Sequence, residues 1–157
     1  MKIKTFTLIC ISSILAINAC KKDESSTSNS SSSPIIGTWK LSSFFITGPS
    51  STIGKDTTID AIALGYFKPC ELDDLIRFNS DNTTTSFQGN IKCDSTAPDS
   101  KNNGTWSLVE NNSKIRLDTN TFADILILSN TTFQMRLYPD TSSGMKYKYI
   151  DETYTRQ

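Results

Sequence analysis

Gly104-Thr105-Trp106-Ser107-Leu108-Val109-Glu110-Asn111-Asn112-Ser113-Lys114-Ile115-Arg116-Leu117 is the stretch on which the fold turns. Apolar and polar residues alternate on both sides of Asn111-Asn112, and Asn tolerates the positive φ that a two-residue hairpin turn demands. In an antiparallel hairpin the opposed residues keep a constant index sum, so this turn sets Trp106 against Leu117 and Leu108 against Ile115 on one face. Ser107 with Arg116 and Val109 with Lys114 fall on the other. The period is two, not 3.6, and the segment is a β-hairpin with one buried face.

Working outward, a turn at Thr119-Asn120 carries the apolar face on to Phe122. A turn at Asn130-Thr131 opposes Leu128 with Phe133 and Leu126 with Met135. Upstream, a turn at Asp81-Asn82 opposes Phe78 with Thr85, Ile76 with Phe87 and Cys70 with Cys93, leaving Arg77, Asp73 and Glu71 on the polar face with Ser86, Asn90 and Lys92. The two cysteines meet without being forced to, which predicts a Cys70–Cys93 cross-strand disulfide. Eight such runs cover 36–47, 72–79, 83–92, 104–110, 114–118, 121–129, 131–138 and 145–155, and no segment shows helical spacing. Short hairpin connections in series describe an all-β, eight-stranded antiparallel up-and-down sheet, which loses its exposed edges by closing into a barrel.

The registers aim Trp39, Leu41, Phe45, Ile76, Phe78, Phe87, Trp106, Leu108, Ile115, Leu117, Phe122, Leu126, Phe133, Met135 and Leu137 inward, with Tyr147 and Tyr149. Asp74 and Asp124 also point inward, where a carboxylate needs water, a cation or backbone N–H groups near an open rim. Glu71, Asp73 and Asp74 lack the glycine and loop carbonyls of an EF-hand and read as a surface charge cluster, so no metal is expected. The long connection from Gly48 to Pro69 carries Ile59, Ile62, Leu64, Tyr66 and Phe67, more apolar surface than an idle loop needs.

The 157 residues hold 16 basic and 16 acidic side chains and no histidine. Without imidazole, Ser-His-Asp and Cys-His nucleophile systems and HExxH metal sites are excluded, and an enzyme is not expected. A balanced charge with no basic, aromatic-interleaved stretch argues against nucleic acid. No cofactor is called for.

The N-terminal segment has a different logic. Lys2 and Lys4 precede an apolar run of 5–17, too short to span a bilayer, which reads as a signal h-region. Residues 1–19 are therefore a signal peptide. Ile17-Asn18-Ala19-Cys20 resembles the lipobox of bacterial lipoproteins, and that resemblance implies a lipid on Cys20 and an anchor in the cell envelope, at the outer membrane. Residues 20–34 form a Ser-rich tether with a reach of roughly 20 Å. Lys21-Lys22-Asp23-Glu24 is either a signal for export to the cell surface or a solubilising cluster. Loss of Lys2 and Lys4 from the 16 basic residues leaves a formal charge of −2, so acyl chains rather than anionic headgroups would hold the protein.

The domain of 35–157 opens with Ile36-Gly37-Thr38-Trp39, and Gly37-x-Trp39 on the first strand is the signature that lipocalins carry. With Cys70-Glu71-Leu72-Asp73-Asp74, Cys93, a second Gly104-Thr105-Trp106 and the Leu-rich hairpin of 125–137, the order of features resembles the lipocalin-like domain of small bacterial lipoproteins. That resemblance implies a monomeric barrel taking a small hydrophobic or amphipathic ligand at its open end beneath the 48–69 loop. Phe45, Leu64, Tyr66, Phe67, Phe87, Tyr147 and Tyr149 are the candidate walls, and Asp74 or Asp124 the candidate anchor. The alternative is a barrel filled by its own side chains that uses the 48–69 loop to bind a macromolecular partner.

Overall fold

The computed structural model describes residues 33–49, 54–139 and 147–157; the expected signal peptide, Cys20 and most of the expected tether lie outside them. Nine strands and one short helix follow in order. β1 (Gly37–Pro49) and β2 (Asp56–Asp60) form an opening hairpin, then come α1 (Pro69–Leu72), β3 (Leu75–Phe78), β4 (Thr83–Phe87), β5 (Ser100–Val109), β6 (Lys114–Leu117), β7 (Thr121–Leu128), β8 (Thr132–Leu137) and β9 (Tyr149–Arg156). Eight strands, all but β2, pair antiparallel in sequence order, and β9 returns to β1 to close the barrel. Each of the eight expected runs supplies one of these strands. No described helix is long and apolar enough to cross a membrane.

β1 is long enough to serve two neighbours. Its first half pairs with β3 from Gly37–Phe78 to Lys40–Leu75, and its second half pairs with β2 from Phe45–Asp60 to Pro49–Asp56. β2 and α1 both fall in or beside a stretch read as loop, and α1 displaces the expected start of the third strand from Leu72 to Leu75.

The 106–117 hairpin has the expected pairs throughout, Trp106–Leu117 to Val109–Lys114, and Asn111 and Asn112 both take positive φ. Elsewhere the register departs by one residue, for reasons visible in the turns. Between β3 and β4 the turn has three residues, closed by Asn79 N–H to Thr83 O at 2.9 Å, with Asn82 left-handed at φ 65°. Asp81 Oδ1 caps this turn by accepting from the Thr83 N–H and hydroxyl. Phe78 therefore opposes Thr84, not Thr85, and Phe87 opposes Leu75 on the outer face with the Arg77 guanidinium over its ring.

The same happens after β6, where a three-residue turn with Asp118 at φ 54° sets Ile115 against Ala123. Phe122 is consequently outward and half exposed while Ala123 is buried. Asp124 is also outward, between Lys114 and Arg136. A bulge at Leu126 restores the expected Leu128–Phe133 pair but turns Leu126 itself out. In β1 a bulge at Ser42 inverts the alternation, so Phe44 opposes the inward Glu152 and Phe45 opposes Asp151 outside. A bulge costs one residue and flips everything beyond it.

Ile35, Trp39, Phe78, Trp106, Ile115, Ala123, Phe133 and Met135 form the buried core. Phe133 packs on Trp39 and edge-on to Phe78, which meets Trp106 edge-on at 5.7 Å. Both indoles are satisfied: Trp39 Nε1 donates to Ile35 O at 2.7 Å and Trp106 Nε1 to Asn79 O. Arg156 finishes this end of the barrel. Its guanidinium lies 4.4 Å from the Trp39 ring centre and donates to the carbonyls of Pro34, Ile36 and Asn130. Gly37 takes φ 145°, a backbone conformation that side-chain-bearing residues rarely adopt, and a Cβ there would have to displace that guanidinium.

Candidate functional site

Above the Trp39 plug the barrel is not filled. Where β1 turns from β3 towards β2, an open cavity of 190 Å³ remains, lined by Trp39, Leu41, Ile76, Ser86 and Tyr154 and rimmed by Glu71, Asp74 and Leu75. The geometry follows from the strand pairing: Lys40–Leu75 is the last β1–β3 pair, so beyond it the wall is open and α1 borders the gap. Trp39 and Phe78 occupy the levels below, which limits the depth.

The walls are apolar with a polar strip on one side. Tyr154 donates its hydroxyl to Glu152 Oε2 at 2.6 Å. Both point inward, since Tyr154 opposes Leu41 and Phe133 while Glu152 opposes Phe44 and the buried Met135. Burial pushes the Glu152 carboxyl above the usual carboxylate range, and the Tyr154 hydroxyl offsets part of that. The Tyr154 phenol is in turn raised well above its ordinary value, first by burial and then by the negative charge of Glu152. The sequence does not single out Glu152, because setting Tyr147 and Tyr149 inward is the parity that turns Glu152 outward, whereas β9 runs with the opposite one.

The rim is held by a clamp. α1 has only four residues, too few to be stable alone. Pro69 starts it, the Lys68 N–H donates to Glu71 Oε2 at 2.7 Å, and the buried Cys70 is bonded to Cys93 in the β4–β5 connection, Cα to Cα 5.2 Å. The expected disulfide is therefore present, but it joins a helical turn to a loop, not two paired strands. Behind it, Asp74 Oδ1 accepts from the Gly89 N–H and Asp73 Oδ2 from the Ile91 N–H. Gly89 has no room for a side chain against Asp73.

The expected site residues divide sharply. Asp74 is at the cavity rim and meets a backbone N–H, as an inward carboxylate must. Phe67 packs edge-on to the inward Phe44 at 5.0 Å, and Ala61 N–H bonds to Phe44 O, so the loop after β2 does fold onto the barrel. Leu64 and Tyr66 are instead 58% and 63% exposed. Phe45 and Phe87 are outside, the latter lining a separate surface cleft of 240 Å³ beside Cys93. Asp124 accepts a hydrogen bond from the Tyr138 hydroxyl on the outer surface. Tyr147 is exposed, and Tyr149 lies outside beneath the Arg136 guanidinium, which is fixed by a two-pronged bond to Asp151. These five are corrected by the bulges and three-residue turns described above and by the outer-face register of β9. Among the described residues no three His, Cys, Asp or Glu side chains converge as metal ligands.

Against known proteins, a family model described as a lipocalin-like domain matches residues 35–135, well over half of the chain. No curated protein and no solved structure matches. The matched residues end inside β8, so the closing strand with Glu152, Tyr154 and Arg156 lies beyond them.

Proposed function

The chain belongs to the lipocalin-like domain family, and from that premise we propose that it is a binding protein for one small amphipathic molecule, held in the bacterial cell envelope by a lipid on Cys20. The observation that carries this reading is the cavity beside Tyr154. A void of about 150 Å³ with apolar walls holds benzene, so 190 Å³ suits a single ring with a short polar arm. Typical drug-sized pockets begin near 300 Å³, so a retinoid or long fatty acid would extend well out of this open cavity. Binding rather than catalysis is supported by a chain with no histidine and by a polar strip that offers hydrogen bonds but no nucleophile with an adjacent base. Toluene and benzyl alcohol titrated against the tryptophan fluorescence should saturate, and Ser86→Phe, which fills the cavity, should abolish saturation. No saturation with either probe would end the reading.

The anchor rests on the signal-like 1–19 segment and the lipobox-like 17–20. Its test is Cys20→Ser, which should release the protein from the detergent phase and remove a diacylglycerol-sized mass. Lys22, Asp23 and Glu24 to Ala should move it from the cell surface if the charged cluster is an export signal. A second reading, interaction with a macromolecular partner through the 48–69 loop, is favoured by the exposure of Leu64 and Tyr66. Leu64→Asp separates the two: it should leave probe binding intact while abolishing any partner complex.

A further inference from the structure

Building on the cavity-binding reading, we infer that the ligand is a cation, a small primary amine carried on a flat apolar body. The cavity wall contains two carboxylates, Glu71 and Asp74, and no lysine or arginine. A third, Glu152, does not line the cavity but stands behind its wall, where Oε2 accepts from the lining Tyr154 hydroxyl at 2.6 Å. Lys40 opposes the rim residue Leu75 but on the outer face of β1, and the arginines nearest in the fold are committed elsewhere. Arg156 is spent on three carbonyls beneath Trp39. Arg77 lies over Phe87 outside the barrel, and Arg136 is paired with Asp151 on the same outer surface.

The cavity therefore presents carboxylates at its rim, an acid and phenol pair, Glu152 with Tyr154, behind its wall, and no cation among its lining residues. A carboxyl withdrawn from water either keeps its proton or gains a positive partner. An ammonium group can be that partner and donate three hydrogen bonds, while the indole of Trp39 and the side chains of Leu41 and Ile76 cover the apolar body. A carboxylate ligand would meet Glu71 and Asp74 and no cation, with the Tyr154 hydroxyl already donating to Glu152. The charge pattern thus excludes anions and favours amines over neutral molecules of the same shape.

The experiment compares benzylamine, benzyl alcohol and benzoate by calorimetry on the disulfide-intact chain at neutral pH. Hydrogen bonds to a charged group contribute about 1.5–3 kcal/mol, so benzylamine should bind about tenfold or more tightly than benzyl alcohol, and benzoate should not bind. Glu152→Gln should lower the ratio of benzylamine to benzyl alcohol affinity towards one, whatever it does to either alone. Glu71→Gln with Asp74→Asn, two rim positions, repeats the test if the interior variant does not fold. Equal binding of amine and alcohol, or tighter binding of benzoate, would overturn the charge inference and leave the cavity reading standing. Binding of none of the three would overturn both.

Discussion

Removing the Cys70–Cys93 bond should loosen the cavity rim as well as the fold, and the structure gives both magnitudes. The bond closes a segment with a separation of 23 residues. In the chain-entropy treatment such a loop loses about 11 cal/mol/K in the unfolded state, so the Cys70→Ala, Cys93→Ala double variant should be less stable by about 3.4 kcal/mol at 25 °C. For a domain of this size that lowers Tm by roughly 10 °C. The loss should not be spread evenly. α1 has four residues and one capping bond from Lys68 N–H to Glu71, so without the clamp it should exchange its amide protons near the unprotected rate while β5, β6 and β8 keep their protection. Urea unfolding gives the global figure, and hydrogen exchange read by mass spectrometry over 69–75 and 88–99 gives the local one. Benzyl alcohol affinity should fall with it, because Asp74 and Leu75 follow α1 directly. A stability loss below about 1 kcal/mol, with unchanged exchange at 69–75, would refute the idea that the disulfide holds the rim.

Three further outcomes test the register, the core and the buried acid. Ala123→Asp should unfold the barrel, whereas Phe122→Asp should shift Tm little; the reverse would restore the register in which Phe122 faces inward. Phe133→Ala, at a fully buried position, should cost about 3–5 kcal/mol by urea denaturation, and a loss under 1 kcal/mol would show that the aromatic cluster is not packed as described. Glu152 has its carboxyl pKa raised in the folded state, so the folded chain binds the proton more tightly than the unfolded one. Its contribution to stability is full below the unfolded value near 4.5 and is lost as pH rises through the folded value. Relative to Glu152→Gln, wild-type stability should therefore decline with rising pH above that point, and parallel pH curves would contradict the burial of this side chain.

Much of the architecture was written in local chemistry. The Asn111-Asn112 turn fixes its own register, since two consecutive Asn residues accept the left-handed backbone that a tight hairpin requires. At Asn79–Thr83 and Asp118–Asn120 the sequence equally suits two or three turn residues, and only the Asp81 cap and the Asp118 backbone decide for three. Each choice moves the side chains of the strand that follows it to the other face, Phe87 after the first turn and Phe122 with Asp124 after the second. The bulges at Ser42 and Leu126 carry no signature such as glycine, so Phe44 could not be told from Phe45 by alternation. The cysteine pairing was correct on a mistaken geometry: the residues converge in space through α1, a helix too short to leave a 3.6-residue period. The cavity was out of reach altogether, because it arises from β1 leaving β3, an event of topology and not of composition.

That departure of β1, together with the Arg156 clamp at its start, has a mechanical side. The segment leading into Pro34 enters the barrel at the Trp39 end, where β1 is hydrogen-bonded on one flank to β3 and on the other to β9. Tension arriving through that segment runs along the axis of β1. The ladders on both flanks are then loaded in shear, all bonds sharing the force, and are not peeled open one after another. Arg156, gripping the Pro34 and Ile36 carbonyls, ties the last strand to the point where the pull enters. A domain hung from this end would resist traction better than one pulled from a lone edge strand, and because Trp39 and Leu41 line the cavity just beyond the point of entry, load on β1 would reach the cavity directly.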